Sequence, residues 1–295
     1  MVQGVIFEII TPPQSWTQDK VRGWASRVAR ILEANSITRL NLPEVVSESR
    51  DGSRAVSFLK KMDQMRFGEM VREVSPGVAL VPNKICVRVA PERFRSWVGE
   101  VHDRGVRDLI LVGGESHRIE YPGWSVPQAA SFVRENFPDM RLGGITIFTR
   151  PREADRIVAK MKAGIDFFCS QIVFETANLK QVLAQLDRRC REEGLCFPDV
   201  FVSLTPASRI RDIEFMTWLG VEFPSAVLDY LVEEEERIEQ RTFEVVERVI
   251  DEVFAFTARD LQGAGIKLGF NVEHVMYSNL ELCERILGRI LGRLG

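Results

Sequence analysis

The sequence has little of the positive charge or of the long apolar stretches that place proteins on nucleic acids or in membranes. Its 295 residues carry a formal net charge of −3, so nothing favours DNA or RNA as a partner. No apolar run approaches the roughly 20 residues of a membrane-spanning helix. The chain also starts without the basic segment, long apolar segment and cleavage site of a signal peptide. We therefore expect a cytoplasmic protein with no nucleic-acid or membrane partner.

Disulfide and metal-binding patterns are lacking as well. The five cysteines are odd in number and form no CxxC pair, which is typical of a reducing compartment and argues against a disulfide framework. The three histidines lie far apart, and none belongs to an HExxH motif. The sequence therefore indicates no metal site.

Short apolar runs alternate with longer amphipathic ones along the chain. The short runs predict eight strands, at Val5–Ile10, Thr38–Leu42, Lys84–Val89, Asp108–Val112, Leu142–Phe148, Asp166–Phe174, Asp199–Leu204 and Lys267–Val272. Helical patterns lie between them, at Trp16–Asn35, Pro91–Arg104, Val126–Asn136, Arg152–Ala163, Leu179–Glu192 and Ile210–Leu219. The longest one covers residues 225–262, before the last strand. It packs either on the rest of the domain or, in a homo-oligomer, on a second copy of the chain.

This alternation implies an α/β protein with a parallel sheet. Eight strand–helix units in a chain of this length fit a (β/α)8 TIM barrel, with residues 1–295 as a single domain. The competing architecture is an open, doubly wound sheet, which carries a Gly-rich fingerprint after its first strand. Here Thr11-Pro12-Pro13 ends the first run, and "GAGIKLG" at residues 263–269 precedes a strand, so it predicts a helix end and a turn.

One carboxylate lies inside the first apolar run, "GVIFEIITPP" at residues 4–13. An unpaired buried charge is costly, so Glu8 has a raised pKa, has a partner or points into a wet cleft. Active sites of such barrels lie at the carboxyl ends of the strands. There the fourth strand ends in Gly113, Gly114 and Glu115. Glu8 and Glu115 would face one cleft, and the two glycines would let a ligand approach the backbone.

Other strand ends also carry polar residues, namely Asn41, Glu44, Thr146, Thr149, Arg150, Ser170, Gln171, Ser203, Thr205, Asn271, Glu273 and His274. A strand-end glutamate has a structural interpretation too, in which it pairs with Arg or Lys at the barrel rim. His274 is interpreted as structural. Lys84 and Lys267 lie at strand starts, which argues against a Schiff-base lysine.

Several segments resemble the methylenetetrahydrofolate reductase family, in the right order over nearly the whole chain. "FEIITPP" is similar to "FEFFPP", whose glutamate is the proposed general acid and falls on Glu8. "GVRDLILVGGES" is similar to "GIxxIxALRGD", which places the conserved aspartate on Glu115. "AGIDFFCSQIVF" is similar to "AGADFxITQLFF", which implies that Gln171 contacts the pterin. "VFVSLTPASRIRDIEFMTWLGVEFP" is similar to "IIPGIMPVTSxxQ…GxxIP", which implies a substrate-binding position at Ile210.

The resemblance also implies an FAD site. The cofactor-binding positions of the family fall on Asn41, Asn83, Gly113, Gly114, Thr146, Arg150, Glu153 and Lys160. At several of these the residue differs from the usual one, so hydrogen-bond donors and a stacking ring are replaced. Lys160 is retained, and Arg150, which replaces a histidine of the family, is a cation that can hold a phosphate.

The resemblance implies reduction of 5,10-methylenetetrahydrofolate, or a related pterin, to the 5-methyl form with NAD(P)H. The hydride passes through FAD or, as in distant family members, directly. Glu8 would protonate N10, Glu115 would balance the cation that forms, and Gln171 would read the pterin. Two alternatives stay open. One is a barrel that binds a folate or pterin without reducing it, as a methyl-transfer or partner subunit, and the other is a barrel enzyme with an unrelated substrate.

Overall fold

A closed barrel of parallel strands forms the centre of the protein. The computed structural model describes residues 2, 4–47, 54–114, 119–261 and 265–294. The strands are β1 (Val5–Ile9), β2 (Arg39–Leu42), β3 (Ala79–Ile85), β4 (Asp108–Val112), β5 (Arg141–Thr146), β6 (Phe167–Ser170), β7 (Asp199–Leu204) and β8 (Lys267–His274). Each strand pairs with the next and β8 pairs with β1, all in parallel. The predicted (β/α)8 barrel is therefore confirmed.

Helices surround the barrel. Within the described ranges they are α1 (Gln18–Ala34), α2 (Gln64–Val74), α3 (Pro91–Asp103), α4 (Val126–Asn136), α5 (Glu153–Lys162), α6 (Ala177–Glu193), α7 (Ile210–Trp218), α8 (Ser225–Val232), α9 (Ile238–Arg259) and α10 (Leu280–Leu294). Neither α2 nor α10 is among the predicted helices, although both bury an apolar face. No described helix combines the length and the apolarity that crossing a membrane requires.

The third predicted strand is wrong in its position. The strand runs over Ala79–Ile85, and Cys86–Arg88 form a 3-10 turn where the prediction places the strand interior. Proline is rare inside central strands, so the sequence pattern gives no local signal for a strand across Pro82. In the structure Pro82 is the register partner of Leu42 on β2.

The predicted helical region at 225–262 is interrupted. α8 and α9 are separated by residues 233–237, which include a 3-10 turn over Glu235–Arg237. The buried Arg241 of α9 explains the break. It pairs with Glu233 at 2.9 Å and with Glu234 at 2.5 Å, and it donates to the carbonyl of Tyr230 at 2.6 Å. The ion pairs of Glu233 and Glu234 with Arg241 therefore hold the turn between α8 and α9.

Alternate strand residues point inward and fill the barrel. The inner cluster consists of Ile6, Val81, Ile110, Phe167, Cys169 and Phe201. Gly143 on β5 makes room for it, since a Cβ there would lie 2.5 Å from the Phe167 ring. This apolar layer closes the barrel interior. Polar side chains occupy the next inward-facing positions toward the carboxyl ends of the strands.

Candidate functional site

Glu8 on β1 and Glu273 on β8 lie side by side at the carboxyl end of the barrel. They are register partners in the parallel β1–β8 pair. Because side chains alternate along a strand, Glu8 points inward like Ile6, two residues before it. Closure of the barrel thus brings together carboxyl groups from its first and last strands.

Two buried amides hold these carboxyl groups. Asn41 is the register partner of Glu8 on β2, and its Nδ2 donates to Oε2 of Glu8 at 2.5 Å. Nδ2 of Asn271 donates to the same oxygen at 3.1 Å and lies 3.3 Å from Oε1 of Glu273. It also lies 3.1 Å from Oγ of Ser203. The amides therefore orient Glu8 and connect it to Glu273.

Burial changes the protonation of both carboxyl groups. Desolvation raises the pKa of Glu8 to about 7, although hydrogen bonds from Asn271 and Asn41 favour the charged form. Desolvation, and then the charge of Glu8, raise the pKa of Glu273 well above its ordinary value, while hydrogen bonds with Ser203 and Asn271 lower it. Two buried carboxyl groups that share one amide donor do not both ionise readily. The pair therefore holds a proton near neutral pH.

A cavity of about 240 Å³ opens above this carboxyl pair. Arg54 and Lys61, from the connection between β2 and α2, line the same cavity. Much of the remaining wall is apolar or aromatic, and includes Val46, Val56, Phe215, Trp218, Met276 and Tyr277. An apolar cavity with a few convergent polar groups is the usual form of a small-molecule site.

Three buried asparagine oxygens have no hydrogen-bond partner among the described residues. They are Oδ1 of Asn41, Asn83 and Asn271. An unpaired buried acceptor costs about 1–3 kcal/mol, so water or a ligand normally satisfies it. Asn41 and Asn83 are both predicted cofactor-binding residues. Asn41 belongs to the carboxyl site because its amide donates to Glu8. Asn83 lies on β3, the strand that pairs with β2.

Gln171 and Ile210 do not line the cavity above Glu8. Gln171 follows β6 and lines a separate cavity of about 140 Å³, together with Phe174 and Phe223. Those two rings are stacked at 4.4 Å. The side-chain oxygen of Gln171 accepts from the backbone N–H of Ile172 at 3.0 Å. Ile210 starts α7 and packs against the apolar cluster that contains Phe174.

Thr146, Glu153 and Lys160 are engaged within the barrel wall. Oγ1 of Thr146 donates to Oε1 of the buried Glu153 at 2.9 Å, and the N–H of Ile147 donates to the same oxygen at 3.1 Å. Nζ of Lys160 donates to the carbonyl of Ile145 at 2.6 Å, and burial lowers its pKa. These three side chains hold the connection between β5 and α5.

The remaining predicted residues are spread around the rim. Gly113 and Gly114 follow β4, and a Cβ on Gly114 would lie 2.4 Å from the Tyr121 ring. That ring therefore fills the space expected for a ligand beside Gly114. Arg150 is exposed in the turn after β5. Glu115 lies outside the described residues, so its pairing with Glu8 stays a prediction.

Glu273 is the main addition to the predicted site. Its place at the end of the last strand marked it as a polar strand-end residue, but the family resemblance directed the second carboxylate to Glu115. Only closure of the barrel makes the last strand a neighbour of the first. Across the described ranges, no group of three or more His, Cys, Asp or Glu side chains is placed to hold a metal ion.

The fold and this site define a (β/α)8 barrel with a proton-holding carboxyl pair at the floor of an apolar cavity. No protein-family model and no curated protein matches the chain. Among solved structures, a Clostridium thermocellum protein that binds two copies of 5-methyl-5,6,7,8-tetrahydrofolic acid is similar at a TM-score of 0.79 and 17% identity, over 99% of this chain and 96% of that one. The long-chain alkane monooxygenase LadA is similar at a TM-score of 0.56 and 11% identity, over 99% and 91%. At these identities the similarity shows a shared fold.

Proposed function

We propose that this protein binds a reduced folate in the cavity above Glu8 and reduces its 5,10-methylene form to the 5-methyl form, as a methylenetetrahydrofolate reductase-like oxidoreductase. The observation that carries the proposal is the carboxyl pair of Glu8 and Glu273, which holds a proton near neutral pH at the cavity floor. The similar Clostridium thermocellum barrel binds 5-methyltetrahydrofolate, which supports a folate as the ligand. The similarity of "FEIITPP" to the reductase opening supports the acid role.

In this mechanism Glu8 is the general acid. The methylene bridge opens more readily when N10 is protonated as it leaves, and this needs a carboxylic acid that keeps its proton near pH 7. Asn41 and Asn271 fix the position of the Glu8 carboxyl group. Both amides also stabilise the carboxylate left after proton transfer, and that charge would balance the cationic iminium of the opened folate.

The iminium is then reduced by a hydride, which NADH or NADPH would supply when bound. The contacts of Thr146, Glu153 and Lys160 within the barrel wall do not fit a flavin-binding role for these side chains. The proposed mechanism therefore takes no step through FAD, and binding of FAD stays a prediction. Recognition of the pterin by Gln171 also stays a prediction.

The test is oxidation of NADH or NADPH by the purified protein, with and without 5,10-methylenetetrahydrofolate, and with and without added FAD. Folate-dependent oxidation that forms the 5-methyl product supports the proposal. If neither nicotinamide is oxidised in a folate-dependent way under any of these conditions, the reductase assignment is wrong.

A second candidate is a barrel that binds a reduced folate without reducing it, as a methyl-transfer or partner subunit. The similar Clostridium thermocellum barrel favours it, because the ligand of that protein is the already reduced 5-methyl form. Calorimetric binding of 5-methyltetrahydrofolate without folate-dependent nicotinamide oxidation would support this candidate over the reductase.

A further inference from the structure

The cavity above Glu8 is lined by side chains of both charge types. The carboxyl pair forms its floor, and Arg54 and Lys61 line it from the connection between β2 and α2. Glu44 also lines it, but its carboxylate is already bound by Nζ of Lys84 and the N–H of Ile85. This connection is attached to the rest of the barrel. Lys61 forms a β-bridge with Pro13 beyond β1, and Nε of Arg211 on α7 donates to the carbonyl of Ala55 at 2.8 Å. The two cations are therefore held at the cavity rather than on a free surface loop.

Lys61 has no carboxylate partner in the part of the chain that the structure describes. Its Nζ donates to Oη of Tyr277 at 3.2 Å and lies 4.9 Å from the centre of that ring. Desolvation, and then the charge of Arg54, lower the pKa of Lys61 to about 8. A half-buried ammonium beside a second cation is stabilised by an anion. Lys61 and Arg54 therefore favour a negatively charged ligand group in this cavity.

Arg54 lies against an aromatic wall. Its guanidinium carbon is 4.8 Å from the ring centre of Trp218 and 5.3 Å from that of Phe215. The two rings are nearly parallel, at 12° and a centre separation of 5.9 Å. Arg54 is therefore held on a flat aromatic surface in the cavity wall.

We propose that Arg54 and Lys61 bind the glutamate carboxylates of the folate tail, while the pterin end reaches Glu8 and Glu273. The inference rests on the proposed folate-binding function. A folate has an amine-bearing ring system at one end and carboxylates at the other, and the cavity offers a carboxyl pair and two cations as their partners. The phosphates of a nicotinamide dinucleotide are the other source of negative charge, and the experiment separates the two.

The test compares the affinities of 5-methyltetrahydrofolate and 6-methyltetrahydropterin, which lacks the aminobenzoylglutamate tail, by calorimetry. Wild-type protein should bind the folate at least about tenfold more tightly. Lys61→Gln and Arg54→Gln should each weaken folate binding by about tenfold, the loss expected for one charge-assisted contact, and leave the tetrahydropterin affinity unchanged. Lys60→Gln is the matched control, because Lys60 is an exposed neighbour on the same segment.

Salt provides a second measurement that does not depend on variants. Raising the ionic strength should weaken wild-type binding of the folate and leave that of the tetrahydropterin unchanged, because only the tail contact joins opposite full charges.

Unchanged folate affinity in both variants, or equal loss for both compounds, would overturn the tail subsite. A raised KM for NADPH with unchanged folate affinity would overturn it in favour of a phosphate site. If the wild type binds the tetrahydropterin but shows no preference for the folate, the subsite fails while pterin binding stands. If it binds neither compound, the proposed function itself is wrong.

Discussion

Glu8 and Glu273 are register partners on the two strands that close the barrel, and the Asn271 amide lies within hydrogen-bond reach of both. The pair therefore depends on closure, because its members are far apart in the sequence. Its position at the floor of an apolar cavity keeps a proton available near neutral pH. This arrangement differs from the pairing of Glu8 with Glu115 that the family resemblance implies.

Glu8→Gln should abolish folate-dependent NAD(P)H oxidation and leave the affinity for 5-methyltetrahydrofolate within a few-fold of wild type. Gln keeps the size and the hydrogen-bonding oxygen of the side chain but has no acidic proton to transfer. Steady-state rates and calorimetry measure the two effects. Glu33→Gln, on the exposed face of α1, is the matched control. Normal turnover by the Glu8→Gln protein would show that Glu8 is not the acid.

The pH dependence of the reaction should follow the carboxyl pair. Because the acid must be protonated, kcat/KM should be constant at lower pH and fall as the pH rises through about 7, the pKa of Glu8. Asn41→Leu removes a donor that favours charged Glu8, so it should raise that pKa and move the fall about one pH unit higher. Asn136→Leu, on the exposed end of α4, should leave the profile in place. A shift to lower pH in Asn41→Leu would contradict this account of Asn41.

The barrel was predictable because strand–helix alternation is a local pattern that repeats along the chain, and eight units fit one closed sheet. The ends of strands and helices were less predictable where the tertiary structure overrules a local sequence preference. Pro82 lies in a central strand, and the acidic run at Glu233–Glu236 separates two helices because the buried Arg241 binds part of it.

The site was predictable only in part. Glu8 and Asn41 stood out as polar residues within or at the end of strands, and the structure brings them into contact. Glu273 could not be paired with Glu8 without barrel closure. Arg54 and Lys61 lie in a connection with no periodic pattern, so no local signal places them at the cavity.

Glu153→Ala should lower the free energy of unfolding by about 2–3 kcal/mol, since it leaves Oγ1 of Thr146 and the N–H of Ile147 without their acceptor. Glu153→Gln keeps an oxygen acceptor and should cost less, about 1 kcal/mol. Urea unfolding of both variants, without added FAD, measures the difference. Wild-type stability in Glu153→Ala would mean that this side chain does not hold the β5–α5 connection, and would strengthen the prediction that it binds a cofactor.

His274→Phe should make the protein more resistant to acid. His274 is buried against Trp24 and Tyr277, and desolvation lowers its pKa to about 3. Below its ordinary value of 6.5, the unfolded chain binds a proton that folded His274 does not, so stability falls toward low pH by up to about 1.4 kcal/mol per pH unit until the pH reaches about 3. Between pH 6.5 and 4.5 the His274→Phe protein should therefore lose about 2 kcal/mol less unfolding free energy than wild type, measured by urea unfolding at each pH.

His102→Phe is the control, because His102 lies at the surface beside Asp139, and this variant should show the wild-type decline. Equal declines in wild type and His274→Phe would show that the buried imidazole does not limit acid stability.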